Sequence, residues 1–568
     1  MYEATYQVTL ESTPQLHPTY YLDNFNRLIE HAQTYYPDLL SADETRWLQG
    51  YKRLSTPSQC LMVRLLSRKG CWFRSDKLDY VEIPNLSDAL QELSTSGFIA
   101  LSNPKASHNF VITEHELGLH LLTKPELVNV FPTLKSSKSA KKEVLLGLLT
   151  QQPFDNYEAL TFDCIHVNEA EVIDVLLLLF FANTYQDLSQ FVLSDLGLNT
   201  FENYPLSKQR RFFNSREQLN QLISMRDVQR QYYEGDRKDS DVQRQYYEGD
   251  RKDSDVLEHL LQSLPCESEH RTIARKRARL INDIARDLER LNQNEKAVHW
   301  FKKSSLPPSR ERLARIYDKQ DELNLMSDTV TEMQTNPSDV SELEVAVKLE
   351  QRLLRKQGQK VPRASKPICE QIRLELDLSQ TRVELAVKQH FETQGWDVYF
   401  SENSFLCGLF GLAFWDVIFS DVEGAFINRY QHRPLDLYHS DFQQKRELQI
   451  NAVFQTISNQ GIEHLLDVYD EKLGIANPFV HWNHFPKALI EHSIHSVPRA
   501  LLIDLFKVIL SDLKLFRTGM PDLIAFKDDQ FHWIEVKGPG DKLQDNQWRW
   551  IKEFERLSVP FSVCYVNQ

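Results

Sequence analysis

The chain has 568 residues, 41% of them hydrophobic and 26% charged; this is too long for one ordinary core and too apolar for a disordered or fibrous protein. A net charge of −14, from 66 Lys and Arg against 80 Asp and Glu, excludes a uniformly basic nucleic-acid coat, although local basic clusters rather than totals decide phosphate contact. Seven scattered cysteines without a Cys-x-x-Cys pair exclude a zinc finger and a disulfide framework and point to a reducing compartment.

Residues 1–120 are expected to form a helical, winged-helix-like DNA-binding region. Gln59–Gly70 has the pattern of an amphipathic basic helix stopped by a glycine, followed by an extended Cys71–Arg74 and a helix around Asp88–Ser96. Arg64, Arg68, Lys69, Arg74 and Lys77, interleaved with Trp72 and Phe73, make a candidate phosphate-contacting surface led by Arg64 and Lys69. The competing reading is a helical module whose basic residues are merely solvated. Residues 121–152 follow as helix, lysine-rich turn and helix. Thr123 is placed to cap, Pro125 lies in the first turn, and Lys135, Lys138, Lys141 and Lys142 precede Val144–Leu149, the layout of a SAP-like hairpin.

Residues 153–375 read as a helical linker and a TPR-like stack. The most apolar run, Val175–Ala182, falls far short of the roughly 20 residues of a membrane span. With no signal pattern at Met1–Thr5, the expectation is a soluble cytoplasmic protein without membrane attachment. The 14 residues Asp227–Ser240 recur verbatim as 241–254. Two copies cannot build a solenoid, so the duplication is expected to be a tolerated loop or linker without chemistry of its own. Helical pairs then follow at Arg271–Leu291, Asn294–Phe301 and Ser309–Leu323. One basic cluster is Arg275, Lys276, Arg277 and Arg279; another is Lys302, Lys303, Arg310, Arg312 and Arg315.

Residues 376–568 carry the chemistry. Gly519-Met520-Pro521-Asp522-Leu523-Ile524-Ala525-Phe526 and Trp533-Ile534-Glu535-Val536-Lys537-Gly538-Pro539 have the form of two strands joined by a polar turn. Side chains alternate along a strand, so Glu535 and Lys537 share one face, and an antiparallel partner brings Asp522 onto it. A helix near Asp545–Leu557 and a last strand at Pro560–Val566 complete a small α/β core of the PD-(D/E)xK type. Two carboxylates and an ammonium at one sheet end suit a hard cation, a phosphate and an attacking water. The plainer alternative is a surface hairpin with a cross-strand ion pair. His481, His484, His492 and His495 form two His-x-x-His pairs, but their aromatic and apolar neighbours favour packing over zinc.

The chain resembles the Fanconi-associated structure-specific nuclease family, whose catalytic part is the VRR-Nuc domain. The likeness rests on Gly519–Leu523 and Glu535–Pro539, continuing into Asp541, Leu543, Gln547 and Trp548. Ser404–Leu409, Phe414–Phe419, Pro434–Tyr438, Val63–Leu65, Trp72 and Tyr80–Ile83 extend it over residues 20 to the end. The vertebrate ubiquitin-binding zinc finger has no counterpart here, so the resemblance is to a bacterial-type member. Ubiquitin-dependent recruitment is not expected, and the location implied is the cytoplasm and nucleoid, or the nucleus in a eukaryote. The resemblance implies a metal-dependent 5′-flap endonuclease and 5′→3′ exonuclease acting in interstrand crosslink repair as a monomer on branched DNA. It implies Mg²⁺ or Mn²⁺, as two ions, held by Asp522, Glu535, the Val536 carbonyl and, as a fourth catalytic position beside Asp522, Glu535 and Lys537, a helix-borne glutamate for which Glu384 fits. It also implies a basic pocket for the 5′-terminal phosphate, assigned to Arg310 and Arg312, with Arg275 and Arg277 as the alternative. A Holliday-junction-type resolvase and a non-catalytic repair scaffold are the rival functions.

Overall fold

The computed structural model describes residues 17–68, 70–102, 121–149, 162–183, 186, 191, 200–234, 253–362, 367–379 and 381–567. The chain divides into two compact units, Met1–Leu198 and Asn199–Gln568.

In the first unit, helices Tyr20–Tyr35, Ala42–Tyr51, Thr56–Leu66 and Leu86–Thr95 bury Phe25, Leu28, Leu48, Tyr51, Leu61 and Leu93. Ser41 starts the second helix: its hydroxyl accepts from the Glu44 N–H at 3.1 Å, and the Glu44 carboxylate accepts from the Ser41 N–H at 2.8 Å. A small antiparallel sheet completes the unit. Its strands β1 (Trp72–Arg74), β2 (Ile99–Ser102) and β3 (Cys164–Val167) are ordered β1-β3-β2. Short helices Lys124–Val130 and Lys142–Gly147 flank a 3-10 turn at Pro132–Ser137. Arg74 does not face outward as a phosphate ligand. It is buried, pairing with Asp76 at 2.8 Å and Glu126 at 2.7 Å, and so ties β1 to the following helical hairpin.

In the second unit, the helix Arg216–Glu234 absorbs the first eight residues of the duplicated segment. Those eight residues are not loop, because Tyr232 and Tyr233 donate their hydroxyls to Asp287 at 2.8 Å and Asp283 at 2.7 Å on the helix Arg271–Arg290. Residues 235–252 of the duplication lie outside the described residues. The helices Arg271–Arg290, Asn294–Phe301, Ser309–Lys319, Leu323–Thr335 and Val340–Lys356 then pack in sequence, each on the next or next but one.

The C-terminal part of this unit is built on a five-stranded sheet of β4 (Glu370–Glu375), β5 (Asp397–Phe400), β6 (Leu523–Lys527), β7 (Gln530–Lys537) and β8 (Phe561–Asn567), in the order β4-β8-β7-β6-β5. β8 runs parallel to both its neighbours, while β5, β6 and β7 are antiparallel. Alternation assigns the two faces. Val398, Leu523, Ala525, Ile534, Val536 and Cys564 pack on Val387 and Phe391 of the helix Val383–Thr393. On the other face, Trp533, Phe561 and Val563 pack on Trp550 and Phe554 of the helix Asp545–Leu557 and on the long, mostly helical segment between β5 and β6.

At the centre of that segment Arg446 is fully buried. It donates to both Asp436 oxygens at 2.8 and 3.0 Å, and its Nε donates to the Val417 carbonyl and the Ser420 hydroxyl at 3.0 Å each. Removing one partner of such a pair strands the other charge in a low-dielectric interior. Arg446→Ala is therefore expected to lower stability by about 3–5 kcal/mol, read as a fall in the urea midpoint of the whole chain.

Candidate active site

β6 and β7 pair with Leu523 opposite Ile534. One step further along that register Asp522 stands opposite Glu535, on the same face as Lys537 and Trp533. Glu535 and Lys537 are 1% and 7% exposed, and the Lys537 ammonium lies 2.7 Å from Glu535 Oε1. The Val536 N–H donates to Asp522 Oδ2 at 2.8 Å.

A third group completes the frame, and its role was hidden in the sequence. Gln547, in the first turn of the helix Asp545–Leu557, donates its side-chain amide to Glu535 at 2.5 Å while its oxygen accepts from the Gln544 N–H at 2.9 Å. The helix can approach so closely because residue 519 is glycine. Its φ is +87°, and a Cβ there would lie 2.7 Å from the Asn546 backbone.

The electrostatics follow from burial. Asp522 is pushed up to about 6, chiefly by desolvation, against the pull of the Val536 N–H and Lys537. Glu535 is pushed up to about 8, again by desolvation and then by the negative charge of Asp522; the Lys537 ammonium opposes this but is outweighed. Two further carboxylates act on the pair. Glu402 raises both groups, and its effect on Asp522 exceeds that of Glu384.

Glu384 lies in the first turn of the helix Val383–Thr393, which packs on the Ile534–Val536 face, and its neighbour Val383 approaches Gly538, the residue after Lys537. Glu402 follows β5, and its neighbour Ser401 is fastened to the site: the Ser401 N–H donates to the Asp522 carbonyl at 2.8 Å and its hydroxyl to the Pro521 carbonyl at 2.9 Å.

Carboxylates and backbone carbonyls are hard oxygen donors, suited to a hard divalent cation. Among the described residues no three His, Cys, Asp or Glu side chains are gathered into a ready-made ligand set, and the four histidines at 481–495 form none. His492 instead stacks on Phe526 with centroids 4.8 Å apart and shares a hydrogen bond with the Tyr399 hydroxyl at 3.1 Å.

Known proteins match this chain over most of its length. The FAN1 HTH-domain model matches residues 19–100, and the VRR-NUC-domain model matches residues 457–568. A Pseudomonas aeruginosa protein, Fanconi-associated nuclease 1 homolog, is 30% identical over 585 aligned residues, covering 100% of this chain and 98% of its own length. The chain belongs to the Fanconi-associated nuclease 1 family. The Arabidopsis thaliana homolog is 25% identical over 97% of this chain, and human Fanconi-associated nuclease 1 is 23% identical over 97%. This chain spans 62% of the human protein's length. The crystal structure of paFAN1 bound to 5′-flap DNA with a 2-nt flap and a gap superposes with a TM-score of 0.82 at 29% identity, covering 98% of this chain and 99% of that one. As a member of the Fanconi-associated nuclease 1 family the protein is a structure-specific DNA nuclease that depends on a divalent metal.

The basic residues expected to meet DNA are distributed unevenly. Arg64 pairs with Glu82 at 2.6 Å and lies 3.9 Å over the Tyr21 ring; Lys69 lies outside the described residues. Arg310 is held by Glu342 at 2.5 Å, the Asn336 carbonyl and the Ser338 hydroxyl at 2.9 Å, and Arg312 is held by both oxygens of Glu289. Arg277 donates to the Pro265 carbonyl at 2.7 Å. Arg275 differs. Its Nε is buried without a hydrogen-bond partner, and it faces a cavity of about 560 Å³ shared with Arg279, Lys514, His439 and Asn546. Burial and the guanidiniums of Arg279 and Arg271 disfavour its charge, and burial with Arg275 holds His439 down to about 4. Arg549 and two acids, Asp339 and Asp512, also line this cavity; Arg549 is bound to Glu344 at 2.8 Å.

The raised carboxylates set a pH dependence. Their folded-state values exceed the ordinary carboxylate range of about 4, so between about pH 4 and 8 the metal-free fold retains protons that the unfolded chain has released. Stability therefore falls as pH rises through that window. A cation that needs both carboxylates ionised reverses the effect. Thermal melts at pH 5.5 and pH 8 with millimolar Mg²⁺ or Mn²⁺ are expected to show the larger metal-induced rise in Tm at pH 8.

Proposed function

We propose that this protein hydrolyses a phosphodiester of 5′-flap DNA at the Asp522–Glu535 rim, with the 5′-terminal phosphate anchored in the Arg275 cavity. The observation that carries this reading is the pair of buried, opposed carboxylates sharing one face with Lys537. When bound, Mg²⁺ or Mn²⁺, as a pair that Asp522, Glu535, the Val536 carbonyl and Glu384 would hold, offsets phosphate charge and makes water a stronger nucleophile. The chain's own residues do the rest. Lys537 stabilises negative charge as it builds on the phosphate oxygens. The Val536 N–H fixes the Asp522 carboxylate, and Gln547 fixes Glu535 so that neither turns away when the substrate arrives.

The third carboxylate is Glu384 in this reading, at the start of the helix whose Val383 approaches Gly538, with Glu402 as the alternative. Cleavage of labelled 5′-flap DNA with Mn²⁺ distinguishes them. Asp522→Ala and Glu535→Ala should abolish cutting, and Glu384→Ala should lower it by about 100-fold or more, the scale of losing one preorganised electrostatic group. Glu402→Ala should lower it several-fold at most. A dead Glu402→Ala beside an active Glu384→Ala would move the role to Glu402.

The anchoring of a 5′-phosphate is supported by the crowding of like charges around Arg275, which an anion relieves, and by Asn546 at the N-terminal turn of a helix, where backbone N–H groups favour an anion. Thr518, which also lines the cavity, lies four residues before Asp522, so anchor and cutting site are close along the chain. Arg275→Ala is expected to reduce the preference for 5′-phosphorylated over unphosphorylated flaps by about 10-fold, the scale of a charge-assisted hydrogen bond. Arg310→Ala and Arg312→Ala, whose guanidiniums are already held by carboxylates, should leave that ratio unchanged.

A further inference from the structure

Among the described residues few large apolar side chains stand exposed, and one of them adjoins the candidate active site. Phe400 is 48% exposed. It is the last residue of β5, which is an edge strand, and it pairs with Leu523, one residue from Asp522. Tyr233, the other exposed aromatic of this group, has its hydroxyl bound to Asp283; Phe400 has no polar atom to satisfy. Edge strands are ordinarily guarded by charge rather than by a bare aromatic ring.

The backbone on both sides of Phe400 is fixed. Upstream, Lys388 donates to the Val398 carbonyl at 2.6 Å. Downstream, Ser401 is tied to Asp522 and Pro521 through its N–H and hydroxyl. The ring is thus carried on a rigid mount whose next residue but one is Glu402. Alternation puts Phe400 on the Leu523 face, whereas Asp522 and Glu535 open on the other. A DNA strand whose phosphate lies at the carboxylates therefore has a neighbouring nucleotide, rather than the cleaved one, within reach of the ring.

We propose that Phe400 stacks on a nucleobase flanking the scissile phosphate and steers the cut strand over the end of the sheet. This rests on the reading of the Asp522–Glu535 rim as the cutting site. Stacking suits the location because the rim is dense in carboxylates, which repel a phosphate backbone, while a ring face attracts any base without regard to charge or sequence.

The test is single-turnover cleavage of 5′-flap DNA by the full chain carrying Phe400→Ala, Phe400→Leu or Phe400→Trp, each on a normal substrate and on a series with one abasic site stepped through the two nucleotides on either side of the cut. Cutting of the normal flap by the unaltered protein, and its loss in Asp522→Ala, reports on the cutting site itself. Phe400 is then read separately. The expected result is a loss on the order of 10- to 100-fold in Phe400→Ala, within the range of one base–aromatic stack. Phe400→Leu, which keeps the apolar contact with the fold but lacks a ring, should share that loss, and Phe400→Trp should recover most of it. At one abasic position the unaltered protein should slow to the rate of Phe400→Ala, and the substitution should then add nothing. Equal rates for Phe400→Leu and Phe400→Trp, or a Phe400→Ala effect that stays the same at every abasic position, would overturn the proposal.

Discussion

Two carboxylates held opposite one another at the buried end of a sheet are the constraint around which the second unit is built. Left to themselves, Asp522 and Glu535 would separate, or take up protons and turn toward solvent, because both desolvation and mutual repulsion oppose their charged forms. The surrounding structure removes those options. Antiparallel pairing sets them across from each other, the Val536 N–H holds one, and Lys537 and Gln547 hold the other. The sheet that bears them is clamped by apolar side chains on both faces. Core packing thus sustains an arrangement that is locally unfavourable and useful for that reason.

The long segment between β5 and β6 has a part in the same arrangement. It separates Glu402 from Asp522 in sequence, and its ends return to the same place through the two Ser401 hydrogen bonds. Buried Arg446 ties three parts of the segment together, bonding to Val417, Ser420 and Asp436. The position of Glu402 therefore depends on packing well away from the carboxylates. The cavity around Arg275 lies against Thr518 and Asn546, next to the close contact between Gly519 and the Asp545–Leu557 helix, so the cavity and the carboxylate rim share one set of backbone supports.

Much of this was legible in the residues themselves. The hairpin carrying Asp522, Glu535 and Lys537 could be seen because the strand period of two is local and strict. What is not local could not be read. Glu384 has a strong helical setting in the sequence, but how close its helix comes to the carboxylate pair is a tertiary matter. Arg310 and Arg312 look free in a one-dimensional string, but their partners Glu342 and Glu289 lie 32 and 23 residues away. Arg74 was misread for the same reason, since Glu126 arrives from 52 residues downstream. The duplicated segment looked like loop because it is polar and contains glycine, whereas its first eight residues extend a helix and dock through two tyrosines.

The order of strands carries a consequence for how the molecule comes into being. β8, residues 561–567, lies between β4 and β7, so the middle of the sheet is supplied after its other four strands have been synthesised. Until then β7, which bears Glu535 and Lys537, has no neighbour on that side, and β4 has none at all within the sheet. A chain interrupted between residues 537 and 561 carries Asp522, Glu535 and Lys537 but lacks the strand that flanks β7. Burial of the paired carboxylates is thereby made conditional on synthesis of β8, so the local hairpin motif and the finished site are separate events in the life of the chain.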